Sequence, residues 1–116
     1  MPKRFGKIAT KAYGVTYDKR QNKLWNVRKY TSKGYPITTM LRREPNNERD
    51  PHAVAVLVQT DATVAKIGYL PADQAFWVSQ KIDKGLIVHA LNGRVTGGTG
   101  GSKILGFSFT ILHQIG

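Results

Sequence analysis

The 116-residue sequence predicts a mostly β domain, a small curled sheet or barrel carrying two short helices. Short runs rich in β-branched and aromatic residues recur along the chain, separated by Gly, Pro, Asn and Asp clusters that mark turns. Only two stretches carry helical periodicity, too few to supply the crossovers of a parallel α/β sheet. The length suits one domain, and such a chain buries roughly two-thirds of its unfolded surface without a metal or disulfide. Curling the sheet protects its edges, and no internal repeat interrupts the pattern.

Residues 1–7 read as a basic, flexible arm with Lys3, Arg4 and Lys7, and residues 8–116 as a single domain. The β-branched and aromatic content of 8–17 predicts the first strand. Residues 20–30 lack Pro and Gly, and Leu24 and Val27 recur at helical spacing, with Trp25 at the edge of their face. Residues 37–41 read as a strand. Residues 42–51 crowd charge, Asn and Pro together, and Asn and Asp side chains that bond to nearby backbone predict a rigid, exposed loop. The apolar run 53–58 predicts a buried strand, with 59–63 as a turn and 64–70 as its hairpin partner. Pro71 opens a second helix, Asp73 suits its first turn, and Gly85 suits a left-handed stop. Ala72, Ala75, Phe76, Ser79 and Ile82 trace its inner face. Strand character returns over 86–95. After a loop with Gly97, Gly98, Gly100 and Gly101, residues 104–111 form the last strand, with Phe107 and Phe109 inward.

Lysine and arginine total 18 against 7 acids, a formal charge of +11, with a pI ≈ 10.2. Ten of those cations and only one acid, Asp18, fall within residues 1–33. A field this positive concentrates polyanions, of which nucleic acid is the commonest. The chain has no cysteine, which removes disulfides, thiol nucleophiles and thiolate metal sites and suits an intracellular setting. No apolar run approaches the roughly 18 residues of a membrane span, and no secretion signal is visible. The expected location is cytoplasmic, or nucleoid-associated if the source is prokaryotic or phage.

Few residues suggest catalysis. The glycine-rich stretch has neither phosphate-loop spacing nor a following helix. It reads as a turn whose backbone donors, with Ser102 and Lys103, could hold one phosphate. His52, His89 and His113 are isolated, so no zinc site is expected. Glu44, Glu48 and Asp50 could gather a divalent metal, but Arg42, Arg43 and Arg49 offset them locally. Ser79, Ser102 and Ser108 lack a base-and-orienter arrangement. No cofactor and no enzymatic activity are expected. Tyr17 is more informative, because an aromatic ring beside Lys19 and Arg20 can stack on a base while the cations meet phosphates. Tyr69, at the end of a strand, invites the same reading. Trp25 and Trp77 read as packing residues.

Three blocks carry a family likeness: Gly14-Val15-Thr16-Tyr17-Asp18-Lys19-Arg20-Gln21, then the stretch 41–56 centred on Glu44-Pro45-Asn46-Asn47-Glu48-Arg49-Asp50-Pro51, then Ile67-Gly68-Tyr69-Leu70-Pro71. In order and spacing they resemble the HIRAN domain, a small β module of SNF2-type helicases and of bacterial and phage proteins. The resemblance implies a six-stranded OB-like or SH3-like β-barrel with two short helices. It also implies capture of the 3′-hydroxyl end of single-stranded DNA. On that pattern Tyr17 resembles the residue that stacks on a terminal base, and Asp50 the acid that accepts a hydrogen bond at the 3′ end. Tyr69 falls where relatives present a polar or ring side chain to the DNA backbone. Thr16, Arg49 and Ala72 depart from residues that relatives use, respectively arginine, an aromatic and lysine. Lys19, Arg20, Arg49 and Lys103 are candidate cationic contacts from charge and position.

The expected function is non-catalytic binding of single-stranded DNA with recognition of its 3′-hydroxyl end. The partner is nucleic acid, with room for a protein partner in a DNA-processing complex, and no membrane. A protein-interaction adaptor with a basic surface and a metal-dependent nuclease are the alternatives.

Overall fold

The computed structural model describes residues 2–61, 63–99 and 103–115. The elements run β1 (Phe5–Lys11), α1 (Arg20–Ser32), β2 (Thr38–Arg43), β3 (Val54–Gln59), β4 (Val64–Tyr69), α2 (Ala72–Asp83), β5 (Val88–Gly97) and β6 (Leu105–Gln114). Their order is the expected one. The first strand starts earlier than expected: Phe5, Gly6 and Lys7 pair with Gln114, His113 and Leu112, so three residues assigned to the arm belong to the sheet.

The strands form two antiparallel three-stranded sheets, β1-β6-β5 and β2-β3-β4. This corrects the expectation of a closed barrel. Among the described residues the sheets join only through an isolated antiparallel bridge, Tyr13↔Tyr69, with reciprocal N–H···O bonds of 2.8 and 2.9 Å. Gly68 makes the bridge accessible. A Cβ there would come within 2.6 Å of the Tyr13 carbonyl oxygen, so any side chain would push the two sheets apart.

The core lies between the sheets and under both helices. Phe107, Phe109, Leu105 and Ile111 face inward from alternate positions of β6, as the period of a strand requires, and are fully buried. Val54, Val56 and Val58 meet them from β3, with Leu24 and Val27 of α1 and Ala75 and Val78 of α2. The helix faces differ in part from the sequence expectation. Trp25 is exposed at 42%, and Phe76 points outward at 54%, while Ala75, Val78 and Ser79 take the buried side of α2. Trp77 does pack, 4.8 Å from His113 between ring centroids.

Two bulges aim side chains that matter later. In β4, Val56 pairs with Gly68 while Leu57 pairs with Lys66, leaving Ile67 as an extra residue. Residues three apart on a regular strand face opposite ways; the bulge puts Lys66 and Tyr69 on one side. In β5, Leu91 pairs with Thr110 and Arg94 with Ser108, with Asn92 at φ 56 in between.

Candidate nucleic-acid interface

A cavity of about 530 Å³ opens at the corner where the Tyr13↔Tyr69 bridge joins the sheets. Three segments wall it: the β1–α1 turn with Tyr13, Gly14, Tyr17, Asp18 and Arg20; the β2–β3 loop with Asn47, Glu48, Arg49 and Asp50; and the end of β4 with Tyr69, Leu70 and Ala72. Tyr17, Arg20, Arg49, Asp50 and Tyr69, far apart in sequence, therefore meet at one place.

The β1–α1 turn is tightly wound. Gly14, Asp18 and Lys19 all have positive φ, at 72°, 53° and 61°. Two consecutive non-glycine residues there store strain of about 1–3 kcal/mol each, which the surroundings must outweigh. Arg20 holds the turn. Its buried guanidinium donates to the Gly14 carbonyl at 2.7 Å, approaches Asp18 at 3.4 Å and lies 5.2 Å from the centre of the Tyr69 ring. These contacts make Arg20 a positioning residue for the turn. Tyr17 stands on the turn with its side exposed at 63%, a ring without a packing partner among the described aromatic pairs.

The β2–β3 loop is tied down along its length, as its composition predicts. Asn47 Oδ1 accepts from the Arg49 and Asp50 backbone N–H groups at 3.0 and 3.2 Å, and Asp50 Oδ1 accepts from His52 N–H at 2.8 Å. Arg43 bridges both Asp83 oxygens on α2 at 3.1 and 3.3 Å, and His52 Nδ1 meets Ser79 at 3.3 Å. The loop is thus pinned to α2 at two points, with Asp50 between them. Asp50 Oδ2 takes no hydrogen bond among the described residues and remains able to accept one.

Glu44 locks the loop to β4. Tyr69 Oη donates to it at 2.8 Å, Asn47 Nδ2 at 3.1 Å, Lys66 at 3.1 Å and Arg42 at 3.3 Å. Burial alone would raise the Glu44 pKa, but these donors together outweigh it and hold the carboxylate at about 2. Lys66 also donates to Tyr69 Oη at 2.8 Å; this bond, with the Glu44 charge, raises its pKa against the effect of burial. The Tyr69 hydroxyl is therefore engaged on both sides, by Lys66 and by Glu44, while the residue lines the cavity. This network was not anticipated from sequence, because the β4 bulge that unites Lys66 with Tyr69 leaves no mark in residue spacing.

The remaining candidates lie elsewhere. Lys19 is exposed at the start of α1 and outside the cavity wall, and Lys103 is exposed before β6. Ser102 lies outside the described residues. The cavity itself is not cationic: Asp18, Glu48 and Asp50 face Arg20 and Arg49, and Arg20 is consumed by the turn. Among the described residues no group of three His, Cys, Asp or Glu side chains converges to hold a metal ion, and no helix is long and apolar enough to cross a membrane.

Tyr13 was missed by sequence reasoning. It is 49% exposed, borders the main cavity and both neighbouring depressions, and has Lys11 Nζ 5.6 Å from its ring centre. Its position one residue before Gly14 of the first block was the available signal.

Searches of curated proteins and of solved structures return no match to the chain. A family model described as HIRAN domain matches residues 5–111, which spans both sheets, both helices and every wall of the cavity. The chain belongs to the HIRAN domain family.

Proposed function

We propose that this protein binds single-stranded DNA and seats its 3′-hydroxyl terminus in the corner cavity, without breaking a bond. Family membership is consistent with nucleic-acid binding, and the charge of +11 favours a polyanion. The observation that carries the finer reading is the convergence of the exposed Tyr17 ring and the Asp50 carboxylate on one cavity, each on a braced segment.

Tyr17 would stack on the terminal base, a contact worth about 1–3 kcal/mol. Asp50 Oδ2 would accept the proton of the terminal hydroxyl. A terminal phosphate would bring negative charge to a wall that already carries Asp18, Glu48 and Asp50, and would remove the donor. An acid-rich cavity inside a strongly basic protein suits a neutral chain end with its phosphates held outside. Binding of this kind marks or shields an exposed end.

The test uses matched single-stranded oligonucleotides ending in 3′-hydroxyl or 3′-phosphate, with affinity followed over a salt series. The hydroxyl end should bind more tightly at every salt concentration. Equal affinities would remove end recognition while leaving general DNA binding in place.

A further inference from the structure

If the cavity takes a neutral terminus, the negative backbone must leave it, and the surface beside it shows where. A second depression adjoins the first through Tyr13, lined on its far side by Lys11, Ser108 and Arg94. These three residues form one cross-strand row. Lys11 pairs with Ser108 on β1 and β6, and Arg94 pairs with the same Ser108 on β5. Directly paired antiparallel residues share a face, so both cations flank the Ser108 hydroxyl on the outer side of the sheet. The opposite side carries buried Phe107 and Phe109.

The β5 bulge creates this row. Without the extra residue after Leu91, Gly93 would stand opposite Ser108 in place of Arg94. Gly93 is also the residue whose Cβ would collide with Thr39 and Phe107, so the bulge and the glycine together let β5 pass β2 while presenting Arg94 outward. Among the described residues neither Lys11 nor Arg94 forms a salt bridge, in contrast to Arg20, Arg42, Arg43 and Lys66. Arg94 has only a 3.5 Å contact to the Asn92 carbonyl, and Lys11 only the Tyr13 ring. Asp73 borders the same depression, in the first turn of α2 where the helix dipole offsets part of its charge.

We propose that the strand leaves the cavity over Tyr13, which stacks an internal base, and crosses the outer face of β1-β6-β5 with its phosphates on Lys11 and Arg94. The inference rests on the nucleic-acid reading above and extends it from a terminal site to a directed path several nucleotides long. Adjacent strands lie about 4.8 Å apart, so the two cations stand roughly 10 Å apart at their backbones, within reach of separate phosphates. The third depression, bordered by Thr16, Ile104 and Leu105, shares only Lys11 as a cation and offers no such row.

The experiment compares a 3′-hydroxyl dinucleotide, which fills the cavity alone, with a hexamer of the same end, by NMR titration and salt-dependent binding. The double variant Lys11→Ala/Arg94→Ala should bind the dinucleotide as wild type does, bind the hexamer about tenfold more weakly at low salt, and lower the salt slope by about 1.4. Tyr13→Leu should cost the hexamer at least about fivefold with the slope unchanged. The variant Lys29→Ala/Lys33→Ala removes the same charge from the far end of α1 and should affect the hexamer less. Equal losses in the two double variants, or a hexamer slope that Lys11→Ala/Arg94→Ala leaves unchanged, would overturn the path. If wild type fails to distinguish 3′-hydroxyl from 3′-phosphate while the hexamer defect persists, the end-binding reading fails and the path stands.

Discussion

Individual side chains divide into those that face a ligand and those that hold them in place. Tyr17 belongs to the first group and Asp50 to both, since Asp50 Oδ1 also accepts from His52 N–H; Tyr17→Ala and Asp50→Asn should leave the fold intact. Tyr17→Ala should weaken oligonucleotide binding by about 1–3 kcal/mol with little change in melting temperature, since the ring is mostly exposed. Glu44 belongs to the second. Glu44→Ala would strand Lys66, Tyr69 and Asn47 without their common acceptor, at a cost of about 2 kcal/mol of stability in denaturant titration. It should also weaken binding, although Glu44 itself does not border the cavity. Unchanged binding in Glu44→Ala would show that the loop needs no brace from β4.

At the level of elements, the cavity exists because three irregular features coincide: the left-handed turn at Gly14, Asp18 and Lys19, the Asn47–Asp50 loop and the β4 bulge. Sequence reasoning located the loop, but it ran the first strand through Tyr17 where the turn stands, and it took the role of Asp50 from the family resemblance. The loop was legible because Asn and Asp signal turns through their own local chemistry. Sequence reasoning could not place Lys66 beside Tyr69, since a bulge arises from pairing with another strand. Nor could it separate Arg20 as a brace from Arg49 as a free cation, because the two differ only in what surrounds them. Gly68 tests the joint between the elements. Gly68→Ala should destabilise the protein by about 1–3 kcal/mol and weaken binding in proportion, as the new methyl group forces Tyr13 from its bridge. Native-state hydrogen exchange at the Tyr13 and Tyr69 amides should report the broken bridge directly.

For the whole molecule, the order of all eight elements was legible because hydrophobic period and turn residues are local. Barrel closure was not, because it depends on which strand edges find each other. Here β2 and β5 pass with Gly93 packed against Thr39 and without ladder pairing, and the sheets stay separate. The pH response is also a property of the whole fold. His113 is held below its ordinary value of 6.5, first by burial and then by the Lys81 charge. The unfolded chain therefore takes up that proton more readily, and stability should decline as pH falls through 6.5. Glu44 has a folded value of about 2 against 4.5, so its contribution is complete above 4.5 and is lost between there and 2. Thermal melts across pH should show two separate declines. His113→Leu should abolish the upper one and leave the lower one in place.

The account rests on Asp50 reading the chemical nature of a DNA terminus that Tyr17 holds. A thermodynamic cycle isolates that claim: wild type and Asp50→Asn, each titrated with the same oligonucleotide bearing a 3′-hydroxyl or a 3′-phosphate. Wild type should favour the hydroxyl by at least about tenfold, and Asp50→Asn should narrow that preference severalfold, because the amide neither repels phosphate nor accepts as strongly, while Asp18 and Glu48 remain in the wall. The same preference in both proteins would contradict the account, since the discrimination would then come from elsewhere on the surface.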